Sequence, residues 1–144
     1  MEREDTNAVH KPRPGAIGRA AALLVVTLAL PLSACAGNLP SQPVTVTMTN
    51  QLKFQPAEIT VPAGTTITWK NDSVLVHTVT ADPGKAARAK DVALPDGAKT
   101  FDSGNLDPDA TFSHTFTISG DYRYFCQPHE ANGMVGVVHV QASH

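Results

Sequence analysis

Toward its C-terminus the chain carries Cys126-Gln-Pro-His129-Glu-Ala-Asn-Gly-Met134, a thiol, an imidazole and a thioether spaced C-x2-H-x4-M. A second imidazole, His77, stands far upstream in Val74-Leu-Val-His77-Thr-Val-Thr80. Two imidazoles, one thiolate and a weak thioether make the trigonal His2Cys set with an axial Met that suits copper. Cu(I) favours soft sulfur and few ligands, whereas Cu(II) favours nitrogen and tetragonal geometry. A rigid frame that holds three strong donors in a plane serves both, so little needs to move when an electron arrives. Zinc is the competing metal, but structural zinc sites rarely use Met and draw on Cys and His in pairs. Taken singly, each residue has an ordinary use in a core: a buried cysteine, a hydrogen-bonded histidine, a packed methionine. Their order and spacing together favour the metal.

Such a loop needs strands on either side and a further strand for His77. Val44-Thr-Val-Thr-Met48 alternates apolar residues with threonine, the period-2 pattern of a half-buried strand. Ile59–Val61 and Thr65–Trp69 continue it, with Pro62-Ala-Gly64 as the turn between them. Val74 to Thr80 is β-branched enough to read as a central strand carrying His77. Thr111 to Ile118, Tyr122 to Cys126 and Val135 to Val140 complete the set, so the ligand loop joins the last two strands. Eleven Pro and ten Gly also favour short elements with turns. The expected fold is all-β, a sandwich or Greek-key barrel. Residues 81–109 are charged and turn-rich, and read as a long surface connection with a short helix near Lys85–Lys90.

Here a resemblance becomes specific. Tyr122-Arg-Tyr-Phe-Cys126-Gln-Pro-His129-Glu-Ala-Asn-Gly-Met134-Val-Gly-Val-Val resembles the copper loop of plastocyanins. Phe54-x-Pro56, Val61-x-x-Gly64, Trp69-x-Asn71 and His77-Thr-Val resemble the plastocyanin/amicyanin branch of the cupredoxins. The likeness covers residues 44–141 and implies a cupredoxin-like Greek-key β-sandwich with one type 1 copper. It carries His77, Cys126, His129 and Met134 over as the ligands. His129, Phe125 and Pro128 would form the electron-transfer surface, inside an apolar rim of Leu52, Phe54, Pro128 and Met134. Thr78 stands where plastocyanins often have Asn beside the Cys sulfur, and Phe125 where plant plastocyanins have Tyr. Asp102, Asp107 and Asp109 are scattered and form no dense acidic patch, so a photosynthetic partner is not implied.

Residues 20–32 form an uncharged apolar run of 13, too short for a membrane-spanning helix of roughly 20 residues. With Lys11, Arg13 and Arg19 ahead of it, the run reads as a signal-peptide core. It ends in Leu32-Ser33-Ala34-Cys35, which resembles the lipobox of bacterial lipoproteins. The expected organisation is a lipoprotein signal peptide over 1–34, then lipidated Cys35 and a tether over 35–43, then the copper domain over 44–141. Glu2, Glu4 and Asp5 dilute the positive flank, which fits a start further on, for example at Val9. An ordinary secretory signal, and a Cys35–Cys126 disulfide, are the plainer uses of these residues.

The 144 residues carry 11 Lys and Arg against 13 Asp and Glu, a net charge of −2 that disfavours nucleic acid as a partner. The leading expectation is a monomeric, single-electron carrier, not an enzyme. It would meet redox proteins transiently and be anchored by lipid at the outer face of a bacterial cytoplasmic membrane. The alternative is copper buffering or delivery, but delivery proteins favour Met- and His-rich tracts and this chain has three Met. Copper catalysis would need further His pairs and an open coordination position.

Overall fold

The computed structural model describes residues 43–143. The expected leader over 1–34, the expected lipidation position Cys35 and the expected tether as far as Gln42 lie outside the described residues. The strands are β1 (Val44–Met48), β2 (Phe54–Gln55), β3 (Glu58–Pro62), β4 (Thr65–Asn71), β5 (Thr80–Ala81), β6 (Phe101–Asp102), β7 (Thr111–Phe116), β8 (Gly120–Phe125) and β9 (Val135–Gln141). They form two sheets, ordered β2-β1-β4-β7 and β3-β9-β8-β5-β6. The pairs β1–β4 and β3–β9 run parallel and the rest antiparallel.

Period-2 patterning decides which side chains meet between the sheets. Along β4, Thr65, Ile67, Trp69 and Asn71 point inward, and along β9 Gly136, Val138 and Val140 do so. Trp69 is fully buried and central to an aromatic cluster. Its ring lies 5.3 Å from Tyr124, 5.9 Å from Phe112 and 6.1 Å from Phe116 between centroids. Each fully buried aliphatic neighbour such as Ile67 adds about 1.5–3 kcal/mol. Gly136 has a steric reason to be glycine: a Cβ there would lie 2.3 Å from Tyr124 Cζ. The ring of Tyr124 therefore rests on bare β9 backbone.

Two local expectations are corrected. Val74 to Thr80 is not a strand; only Thr80–Ala81 pairs as one, and His77 makes a single isolated bridge to Leu106. The cause is Asn71, whose side chain takes up backbone groups that a ladder would have used. Its Oδ1 accepts the Ser73 N–H at 3.0 Å and its Nδ2 donates to the Leu75 carbonyl at 2.7 Å. The connection over 81–109 holds no α-helix either, only two separate 3-10 turns at Pro83–Lys85 and Ala89–Asp91. Ala86 and Arg88 between them are extended, with ψ of 131° and 118°, so no helix can run through.

Candidate metal centre

His77, Cys126 and His129 come together at one end of the sandwich, between the sheets and the loop that follows β8. Cys126 Sγ lies 3.5 Å from His77 Nδ1 and 3.4 Å from His129 Nδ1, and the two Nδ1 atoms are 3.1 Å apart. A point equidistant from three atoms so placed is about 1.9 Å from each, close to the ~2.0 Å of a metal–imidazole bond. Both rings present the same nitrogen and the sulfur is a free thiol, so the donors present fit a copper ion. His77 and Cys126 are fully buried, and His129 is partly exposed.

The hydrogen bonds around His77 favour one position for its proton. Nε2 lies 2.9 Å from Ser73 Oγ. That hydroxyl has one hydrogen, and it faces Asn71 Oδ1 at 2.9 Å and the Leu75 carbonyl at 3.1 Å, neither of which can donate. With those two acceptors beside its one hydrogen, Ser73 Oγ is placed to accept from the ring, which favours the proton on Nε2 and leaves the Nδ1 lone pair toward Cys126. Asn71 completes the brace by donating to the Leu106 carbonyl at 2.9 Å, the same carbonyl-bearing residue that bridges to His77. Burial lowers the pKa of His77, and the neighbouring His129 imidazole lowers it further, against a raising hydrogen bond to the Thr49 backbone. The ring is thus kept neutral, the form that ligates.

Cys126 needs the opposite change. Burial pushes its thiol up, while hydrogen bonds from the Thr78 and His129 backbone and from the Thr78 side chain pull it down. The Thr78 N–H donates to Sγ at 3.3 Å, and Thr78 Oγ1 accepts the Gln127 N–H at 2.8 Å. Threonine in place of Asn therefore still supplies a donor to the sulfur and also ties down the first residue of the loop. Thr80 Oγ1 donates to Thr78 Oγ1 at 3.0 Å and fixes that side chain in turn.

The loop itself runs as tight turns from Gln127 to Asn132, with a kink at His129 where φ is −121° and ψ 15°. Gly133 closes it in the left-handed region at φ 75°, where residues with a Cβ are disfavoured, and its N–H bonds to the Glu130 carbonyl at 2.9 Å. Met134 is fully buried, and its backbone bonds to both loop ligands: its carbonyl accepts the Cys126 N–H at 3.0 Å and its N–H donates to the His129 carbonyl at 3.2 Å.

The expected surface differs in its members. Phe125 is fully buried, because the end of β8 turns inward with Tyr124, Phe125 and Cys126 all covered. Phe54 and Met134 are buried as well, so neither belongs to a rim. Pro128 is exposed and Leu52 half-buried. The apolar residues that do face outward are Val74, Leu75 and Val76, at 80%, 40% and 38% exposure, in the segment leading into His77. Leu52 sits in the adjoining turn with a positive φ of 56°, and Asn50 of that turn accepts the Val74 N–H at 3.0 Å. The strand-like composition of Val74–Val76 hid this patch. Asn71 and Ser73 could have been suspected, since Asn-Asp-Ser is a turn-forming run directly ahead of it. Nothing local marked Glu130, which is buried in the loop with partners 42 and 43 residues upstream.

Known proteins share this frame. The model for copper binding proteins of the plastocyanin/azurin family matches residues 42–141. The chloroplastic plastocyanin of Tetradesmus obliquus is 33% identical over 129 residues, covering 87% of this chain and 81% of that protein. The plastocyanin of Nostoc punctiforme is 37% identical over 95 residues, 62% of this chain and 66% of that protein. Among solved structures, an oxidized amicyanin variant aligns with a TM-score of 0.55 and 26% identity over 72% of this chain and 87% of that one. A purple cupredoxin from Nitrosopumilus maritimus shares the fold, with a TM-score of 0.53, 24% identity, and coverage of 68% of this chain and 99% of that one. The two-sheet sandwich, the His-Cys-His triangle at its end and the match across 42–141 lead to one conclusion: the chain belongs to the plastocyanin/azurin family of copper-binding proteins.

Proposed function

We propose that this protein is a single-electron carrier with one type 1 copper, held by His77, Cys126 and His129 with Met134 as the weak axial ligand. The observation that carries the reading is the triangle of Nδ1, Nδ1 and Sγ atoms, preset at metal-binding separations between a braced loop and the upstream His77. Bound there, copper would supply a one-electron Cu(II)/Cu(I) couple. The chain's own part is to hold still. Ser73 fixes the His77 tautomer, Thr78 donates to the sulfur, and Met134 pins Cys126 and His129 through its backbone. Four protein donors leave no position for a substrate, so the protein acts as a carrier and not as an enzyme.

Electrons would pass through the partly exposed His129 to transient redox partners that dock on Val74, Leu75, Val76, Leu52 and Pro128. Small, apolar contact suits brief encounters, since weak redox interfaces fall at the low end of interface area. The protein would work as a monomer, tethered through lipidated Cys35 at the outer face of a bacterial cytoplasmic membrane. The supporting features are the apolar run over 20–32 and the Leu-Ser-Ala-Cys motif that ends it.

The test is the visible spectrum of the purified protein with one equivalent of Cu(II), before and after ascorbate. An intense blue thiolate-to-copper band that bleaches and returns on reoxidation is expected. A colourless complex would remove Cys126 from the ligand set and favour copper buffering or delivery. Mass spectrometry of the membrane-extracted protein, showing diacylglycerol on an N-terminal Cys35, checks the anchor; an unmodified Cys35 refutes it.

A further inference from the structure

Glu130 lies between two proposed ligands, His129 and Met134, yet it is only 4% exposed. A buried carboxylate is costly unless its oxygens are satisfied. Both are satisfied here from outside the loop. The Ala87 N–H donates to Oε2 at 2.9 Å and the Arg88 N–H to Oε1 at 2.8 Å. Arg88 then reaches back, its guanidinium donating to the Glu130 backbone carbonyl. The Nε of the same guanidinium donates to Asp91 at 2.6 Å, and Asp91 is itself 5% exposed. One short segment thus holds both the side chain and the main chain of a single loop residue.

That residue sits at the mechanical centre of the ligand loop. Its carbonyl also accepts the Gly133 N–H, and the preceding residue is the kinked His129. Among the described residues, the hydrogen bonds that Glu130 itself receives from outside the loop come from residues 87 and 88. The same bonds account for the broken helix in the 81–109 connection, where the N–H groups of residues 87 and 88 turn to Glu130 and not to a preceding carbonyl.

We propose that Glu130 is a positioning residue for the metal: clamped to the backbone of residues 87 and 88, it holds His129 Nδ1 facing Cys126 Sγ before an ion arrives. It thereby slows release of the ion once bound. The proposal rests on the metal-binding part of the function above and not on electron transfer. The clamp has two halves: the Glu130 carboxylate on the backbone N–H groups of residues 87 and 88, and the Arg88 guanidinium, itself paired with Asp91, on the Glu130 carbonyl. Loss of either half frees the other.

The experiment compares full-length wild type with Glu130→Gln and Glu130→Ala. Glutamine keeps the volume and one acceptor, and serves as the readable variant where the alanine protein does not fold. Two quantities are followed: amide hydrogen exchange of Gly133 and Met134 in metal-free protein, and release of Cu(II) and of Zn(II) to a chelator. Both are expected to quicken about tenfold or more in Glu130→Gln, with the amides of Val46 and Val138 unchanged, in line with the 10–100-fold effects of residues that orient metal ligands. Wild-type exchange and release rates alongside a lowered melting temperature would overturn the proposal, leaving Glu130 a purely structural residue. Wild-type protein that takes up neither ion would overturn the metal-binding reading itself, and this proposal with it.

Discussion

Replacing Ser73 by alanine tests the claim that a hydroxyl outside the donor triangle sets the state of a ligand within it. The substitution removes the acceptor for His77 Nε2–H and for the Leu75 N–H, and the donor to Asn71 Oδ1. Asn71 Oδ1 keeps the Ser73 N–H, and the Leu75 carbonyl keeps Asn71 Nδ2, so those acceptors lose little. Leu75 is 40% exposed and its N–H can turn to water. The cost therefore falls on the buried imidazole N–H, at about 0.5–1.5 kcal/mol for one lost hydrogen bond, since the Thr49 backbone remains as its partner. Urea unfolding of the metal-free protein should show that loss.

The second expected effect is on the metal. Without Ser73 to accept from Nε2, the Nδ1–H tautomer becomes populated, and a protonated Nδ1 cannot ligate. Affinity in a chelator competition should fall about 10–100-fold, or ~1.4–2.7 kcal/mol. Ser73→Thr keeps the hydroxyl and should retain most of it. Nitrogen chemical shifts of the His77 ring report the tautomer directly. Unchanged affinity in Ser73→Ala, with the ring still protonated on Nε2, would refute the reasoning and make Thr49 the residue that fixes His77.

Other outcomes follow from the same geometry. Gly136→Ala should destabilise the domain by about 1–3 kcal/mol or more in denaturant unfolding, since its Cβ would meet the Tyr124 ring at 2.3 Å. Binding of Cu(II) at neutral pH should release about one proton, from the raised Cys126 thiol and none from the already neutral His77; calorimetry in buffers of different ionisation enthalpy measures this, and zero release would contradict thiolate ligation. His139 bonds Asp121 at 2.6 Å and Glu58 at 2.7 Å, which raises its pKa above 6.5. Its contribution to stability is therefore fully present below pH 6.5 and lost as pH rises through the raised value. The stability gap between wild type and His139→Gln should accordingly close on the alkaline side, and a gap that widens there would reverse the assignment.

The sequence exposed the architecture where one face of a strand is wet and the other dry. The alternation in Val44–Met48 and Thr65–Trp69 is a direct image of burial, and both became strands. The chemistry was also legible in part, because Cys126 and His129 share one short loop. Upstream, local composition misled. Val74-Leu-Val76 has the residues of a buried strand, but Asn71 and Ser73 consume its backbone hydrogen bonds and leave its side chains outside. Phe125 was out of reach for another reason: alternation breaks at the end of β8, where Tyr124, Phe125 and the following Cys126 are all buried. Glu130 reads as a surface loop residue in any local window. Its burial depends on two N–H groups more than 40 residues away, which no periodicity records.

The spacing of the donors along the chain has a consequence for how molecules mature. Cys126 and His129 are three residues apart, but each meets His77 across 49 and 52 residues. Contacts of such separation form late and slowly in β-rich chains. A stalled or half-assembled molecule presents the C-terminal donors without the third corner of the triangle. Full affinity for a metal would then belong only to finished molecules, and loading would report that folding is complete.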